Sequence, residues 1–245
     1  MKDLLTGILD PENVTTYSSK FNRYVANIYK IQNNCLVRQK TFSKFENSIL
    51  GINDDDFCAE KDVKKIISDI FYEYKKFNFN GIFLDFHGEE HSEFVYLLDE
   101  RCYKEHIELY VPQKYAKVVD NAKIVISTAI SGGNLQQIFE YSILQYGLNR
   151  ICAEISLDAY EFDIPSYNDL SRKIVRPTKT DLTSVFFSEN LCTNYYTKMT
   201  DSEHCVFTIF DDENSFKKKL EIIHKLTVKD IFINCKFIEM YDFLQ

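Results

Sequence analysis

Phe79-Asn80-Gly81-Ile82-Phe83-Leu84-Asp85-Phe86-His87 is the stretch on which the reading of this chain turns. From Gly81 to Phe86 it is apolar except for Asp85, the pattern of a short strand buried on both faces. Helical patterns bracket it. Ala59 to Phe77 places Val63, Ile66, Ile67, Ile70 and Phe71 on one face, and Ser92 to His106 follows on the other side. A buried strand between two amphipathic helices is the repeating unit of a parallel α/β fold.

Working outward, seven more runs rich in β-branched and aromatic residues complete a set of eight strands. They are Leu4 to Leu9, Arg23 to Tyr29, Ser48 to Ile52, Ile107 to Val111, Lys123 to Thr128, Arg150 to Ser156 and Asp230 to Cys235. Further helices are expected at Leu135 to Tyr146, stopped by Gly147, and at Asn214 to Leu226. At 245 residues, these elements suit one (β/α)8 TIM barrel spanning residues 1–245. The first two connections are too short or too polar for full helices, so the N-terminal quarter is expected to be reduced or irregular. Residues 157–210 form an insertion between the seventh and eighth strands, expected to pack over one end of the barrel. Within it the pattern predicts a helix near Tyr167 to Ile174 and β-like runs at Ser184 to Phe187 and Cys205 to Phe210. Nothing repeats internally, and no Pro/Gly-rich linker marks a second domain.

Composition narrows the function. A net charge of -8 opposes a phosphate-tracking nucleic-acid binder. No run of eighteen apolar residues suggests a membrane span, and Met1 to Asp10 is too short and acidic for a signal-peptide core, so synthesis in the cytosol is expected. The seven cysteines are odd in number, scattered and free of Cys-x-x-Cys pairs, which indicates neither a disulfide framework nor a zinc ribbon. No cofactor is implied. Asp211, Asp212 and Glu213 meet the positive end of the last helix, and Lys217, Lys218 and Lys219 read as a solvated stripe.

Three segments together resemble the family 18 glycoside hydrolases, particularly the branch that degrades spore peptidoglycan. Residues 79–87 are similar to that family's fourth strand, Asp-Gly-x-Asp-x-Asp-x-Glu. Arg150 to Pro165 follows the spacing of its seventh strand and exit loop. His204 through Val206-Phe207, Phe210-Asp211-Asp212 and Ser215 is similar to His-x-Val-x-Phe-(Asp/Glu)-Asp-x-x-Ser, leading into the strand that closes the barrel.

The resemblance implies substrate-assisted hydrolysis, in which a Glu protonates the glycosidic oxygen and an Asp orients the attacking acetamido group of the substrate. Mapped onto this chain, the motif is degenerate. Asn80 and Phe83 replace the first two Asp, Asp85 keeps the third, and His87 stands where the acid Glu belongs. Strand alternation puts Phe83, Asp85 and His87 on one inward face. Ile126-Ser127-Thr128-Ala129 stands where the family has Met-x-Tyr-Asp, so the acetamido-holding pair is missing as well.

Other motifs have plain readings. Glu89 and Glu90 follow Gly88 and are read as solvated acids before the next helix, although a bent loop could return one to the mouth. His87-Gly88-Glu89-Glu90-His91 matches an inverted zinc-peptidase pattern that requires a helix, which Gly88 opposes; no metal site is expected. Ser131-Gly132-Gly133-Asn134 reads as a turn and N-cap, or as an anion-holding loop. Cys152 reads as buried and inert.

The expectation is therefore a barrel with its acids erased, a pseudoenzyme acting as a glycan-binding or scaffold protein in sporulation or envelope assembly. Its partner would be peptidoglycan, an N-acetylglucosamine-containing glycan, or a sporulation protein, which makes it spore-associated. The residues expected to line the groove are Asp85, His87, Tyr110, Asp158 and Tyr160. The competing expectation is an active N-acetylglucosaminidase-type peptidoglycan hydrolase using Asp85 with His87 or Glu89.

Overall fold

The computed structural model describes residues 4–15, 18–41, 48–55, 57, 62–130, 132–155, 159–164, 173–174, 184–199 and 205–235. The chain divides into two compact units: residues 1–127, 142–154 and 228–245, and residues 128–141 and 155–227.

The first unit is built on eight parallel strands: β1 (Leu4–Leu9), β2 (Arg23–Gln32), β4 (Ser48–Asn53), β5 (Gly81–Asp85), β6 (Glu108–Pro112), β7 (Lys123–Ser127), β8 (Ile151–Ile155) and β14 (Asp230–Asn234). They run in chain order around a closed ring, because β1 pairs with both β14 and β2. This is the expected TIM barrel, and the quoted stretch is its fourth strand. The ring's inner layer is apolar: Ile8, Val25, Ile49, Phe83, Tyr110, Val125, Cys152 and Phe232 form one buried cluster. Alternate residues Ile82 and Leu84, with Phe86 just beyond the strand, face outward. There they meet Ile66, Ile67, Ile70 and Phe71 of α1 (Val63–Phe77) and Phe94, Val95 and Leu98 of α2 (Ser92–Lys104). Asn78, in the left-handed conformation, ends α1: its N–H donates to the Lys75 carbonyl at 3.3 Å and the Phe79 N–H donates to the Tyr74 carbonyl at 3.1 Å.

The N-terminal quarter is irregular, as the polar connections imply. No helix is present between β1 and β4 among the described residues. Instead β2 turns back on itself as a hairpin with β3 (Cys35–Arg38). The two loop residues Asn33 and Asn34 both have positive φ, 51° and 58°, the geometry that matches strand twist in a two-residue hairpin. An Asn-Asn pair between two β-rich runs is a hairpin signal that the periodicity reading passed over.

The N-terminal ends of the strands are tied by charge. Arg23, first in β2, donates to Thr6 Oγ1 and to the Tyr110 hydroxyl, each at 2.9 Å, and lies 3.5 Å from Asp230. Lys123 bridges Glu108 and Asp230 at 2.8 Å each. Burial alone would push the Lys123 ammonium down, but these two carboxylates hold it above its usual range.

The second unit contains the insertion between the seventh and eighth barrel strands. Its antiparallel sheet runs β10 (Lys173–Ile174), β9 (Ala159–Ile164), β13 (Cys205–Phe210), β12 (Thr193–Met199), β11 (Phe186–Ser188). The helix expected near Tyr167 to Ile174 ends instead in a strand, since Lys173 and Ile174 pair with Glu161 and Tyr160; residues 167–172 lie outside the described residues.

Helix α4 (Glu213–Lys225) explains the family-like Asp-Asp-x-x-Ser segment. Asp212 accepts from the Ser215 N–H at 2.8 Å and the Ser215 hydroxyl accepts from the Asp212 N–H at 2.7 Å, a reciprocal capping box. Lys219 is not part of a solvated stripe. The helical period sets it with Ser215, Phe216 and Ile223 on the buried face, where it is 1% exposed and paired with Asp211. Asn134 caps α3 (Leu135–Tyr146) by accepting from the Gln137 N–H at 3.1 Å.

Candidate functional site

In a barrel of this kind the residues at the C-terminal ends of the strands surround one mouth. Here those residues are polar and interlinked. Asp85 closes β5; its Oδ1 accepts from His87 Nε2 at 2.7 Å, and its Oδ2 accepts from Asn27 Nδ2 at 2.7 Å. The same Asn27 amide donates to Asp10 Oδ1 at 3.0 Å, and Asn234, last in β14, donates to Asp10 Oδ2 at 2.7 Å.

Local backbone devices aim these groups. In β2 the register shifts between Asn27 and Tyr29, a bulge that re-aims side chains into the barrel. Gly51 faces Asn27 across the pair, and a Cβ there would lie 2.6 Å from the Asn27 Cα, so only glycine admits this approach. Beyond β5 the chain is held by Asp54, whose carboxylate accepts from the N–H groups of His87 at 3.0 Å and Gly88 at 2.7 Å.

The Asp85 hydrogen bond pushes the His87 imidazole up to about 9, with Glu154 and Asp54 adding to the rise. At neutral pH, His87 is therefore a cation bound to a carboxylate, and its side chain is 73% exposed. Phe83 lies below Asp85, 2% exposed, and packs against Phe232 and Tyr110 in the inner layer. Chemically the arrangement offers a charged donor, an acidic rim and an apolar floor.

The residues expected at the groove part company here. Asp85 and His87 are brought together as strand alternation implied. Glu89 and Glu90 are exposed, in the segment before α2. Tyr110 is fully buried, and its hydroxyl donates to Glu108 at 2.6 Å within the charge network at the opposite, N-terminal ends of the strands. Its position opposite Phe83 in register makes it an interior residue rather than a mouth residue. Tyr160 lies on β9 of the insertion sheet, opposite Ile209. Asp158 lies outside the described residues. Residues 87–91 precede α2, so His87 and His91 share no helix face, and half-buried His91 stacks on Phe57 at 3.6 Å. Among the described residues no group of three or more His, Cys, Asp or Glu is arranged to hold a metal ion.

Asn27, Asp10 and Asp54 were not anticipated. Each left a trace: Asn27 is a polar residue inside an apolar strand, and Asp10 and Asp54 directly follow or close strand runs.

The chain superposes along 95% of its length on the Bacillus cereus spore cortex-lytic enzyme SleL, covering 70% of that chain, with a TM-score of 0.64 and 12% identity. A Chromobacterium violaceum chitinase gives a TM-score of 0.64 at 11% identity, covering 94% of this chain and 93% of that one. A glycoside hydrolase family 18 N-acetylglucosaminidase from Paenibacillus barengoltzii gives 0.60 at 8% identity, over 95% and 94%. The fold is the barrel that these three enzymes share. In sequence, no family model and no curated protein matches the chain. On this barrel the mouth carries the His87–Asp85 pair, with Phe83 in the inner layer below. No helix among the described residues is long and apolar enough to cross a membrane.

Proposed function

We infer that this chain is a non-catalytic family 18-type barrel that binds a glycan, peptidoglycan or another N-acetylglucosamine-containing polymer, in a spore or cell envelope. The observation that carries the reading is the His87–Asp85 pair at the position where the resemblance calls for the acid Glu. A general acid works best with a pKa near the working pH. His87 holds its proton to about 9 and gives it to Asp85 as a hydrogen bond, so both groups are committed to each other.

Phe83 supports the same reading, because apolar volume stands where a second carboxylate would have shared a proton with Asp85. The spore setting is suggested by the likeness to a cortex-lytic enzyme.

The test incubates the protein with cortex peptidoglycan and with N-acetylglucosamine oligomers, counting new reducing ends by mass spectrometry and binding by co-sedimentation. Retained binding without fragments is expected. Fragments released by the native chain and abolished by Asp85→Asn would replace this reading with a hydrolase using Asp85 and His87, or Asp85 and Glu89.

A further inference from the structure

Helices α1 and α2 lie beside each other on the outside of the barrel, and the groove between them has a volume of about 610 Å³. Its floor is apolar: Ile67 is buried in the core beneath, and Leu97 packs against that core. Its rim is polar and aromatic. Lys64 comes from the first turn of α1, and Tyr96, Glu100, Arg101 and Lys104 come from α2. The i, i+4, i+8 spacing of Lys64, Ser68 and Tyr72 carries the α1 wall along two turns, about 12 Å at 1.5 Å per residue. Tyr96 is 47% exposed and Tyr72 64%.

Charge sets this groove apart from the rest of the chain. Its lining holds three cations, Lys64, Arg101 and Lys104, against one carboxylate, Glu100, on a chain whose net charge is -8. Neighbouring acids do not cancel the excess. Arg101 shares Glu105 with Lys75, at 2.7 and 2.8 Å, so one carboxylate serves two cations. Lys104 meets Glu100 at 3.3 Å on the helix surface, a pairing that contributes little and opens readily to another carboxylate. The Lys64 ammonium has no partner among the described residues.

A small anion would use this charge and leave the floor wet. A neutral apolar segment would use the floor and leave the charge. A segment that presents an apolar side chain flanked by carboxylates uses both, and exposed Tyr beside Arg is the composition that protein interfaces favour. We infer that the α1/α2 groove docks an acidic amphipathic helix of a partner protein. Its apolar side chain would sit over Ile67 and Leu97, with carboxylates reaching Lys64, Arg101 and Lys104. This goes beyond the glycan-binding reading, which concerns the mouth, and does not depend on it.

The experiment titrates three fluorescent peptides of equal length against the full chain by anisotropy. All carry Leu at helical spacing, with Glu, Gln or Lys at the remaining positions, and NMR maps where the Glu peptide binds. That peptide should bind about tenfold more tightly than the Gln peptide at low salt, lose the advantage as salt rises, and shift the signals of Ile67, Tyr96 and Leu97. Lys64→Glu puts an acid in the first turn of α1, which suits that helix. It should weaken binding about tenfold, as should Tyr96→Ala, with unfolding midpoints unchanged. Glycan co-sedimentation, which reads the mouth, should be the same in Lys64→Glu as in the native chain. Equal binding of the Glu and Lys peptides, or signal shifts confined to other faces, overturns the docking site. A Glu peptide without Leu that binds as tightly overturns it too, by making the rim a general anion surface. Self-association that rises with concentration and is lost in Tyr96→Ala replaces the partner with a second copy of this chain.

Discussion

Phe83 and Phe232 meet inside the barrel with ring centroids 5.0 Å apart and planes inclined at 43°. The pair makes the floor of the mouth an apolar plug, with Tyr110 edge-on to Phe232 at 5.1 Å beneath it. Phe83→Ala should cost about 3–5 kcal/mol, the usual penalty for emptying a packed aromatic site. Urea unfolding checks it. A loss below about 1 kcal/mol would mean that the interior collapses around the gap and that Phe83 is no plug.

The His87 imidazole should titrate near 9 when followed by NMR, and Asp85→Asn should bring it back toward 6.5. Its pKa is raised on folding, so its contribution to stability is complete below about 6.5 and disappears as pH rises through about 9. Native protein should therefore lose a small increment of thermal stability across that window which Asp85→Asn does not lose. A midpoint near 6.5 in the native chain would remove the ion pair from the account of the mouth.

Lys219 and Asp211 are 1% and 8% exposed, and burial pushes the Asp211 carboxyl up, with Lys219 opposing that rise. Removing one partner strands the other charge. Lys219→Ala should cost about 3–5 kcal/mol, whereas the double change Lys219→Met with Asp211→Leu should recover most of that loss. Denaturant midpoints of the three proteins decide it; equal losses in single and double variants would show that the pair is not what holds α4.

Asn34 sits at φ 58°, and its side-chain oxygen is buried without a donor. Asn34→Gly removes that acceptor and suits the turn, so it should stabilise the protein by about 1 kcal/mol. A shift of the unfolding midpoint in the opposite direction would mean that the Asn34 side chain contributes a contact outweighing both effects.

The ring of eight strands was legible because parallel strands covered on both faces read as apolar runs whatever their partners. Depth along the barrel was not legible. Tyr110 and Asp85 both alternate inward, yet one points to the N-terminal charge network and the other to the mouth, and only the strand register separates them. Lys219 was misread for a related reason: three consecutive lysines look solvated until the helical period assigns the third to the buried face. Asn27 enters the mouth through a bulge and a facing glycine, which are relations between strands rather than within one.

The pairing of β1 with β14 joins residues more than two hundred positions apart, Leu4 beside Asp230. Until the last strand is in place, β1 and β8 each present an unpaired edge, and unpaired edges are templates for misassociation. During synthesis the sheet would therefore stay open until residues 230–234 had emerged from the ribosome. Arg23, waiting for Asp230 at the final seam, completes its ion pairs only as the ring shuts.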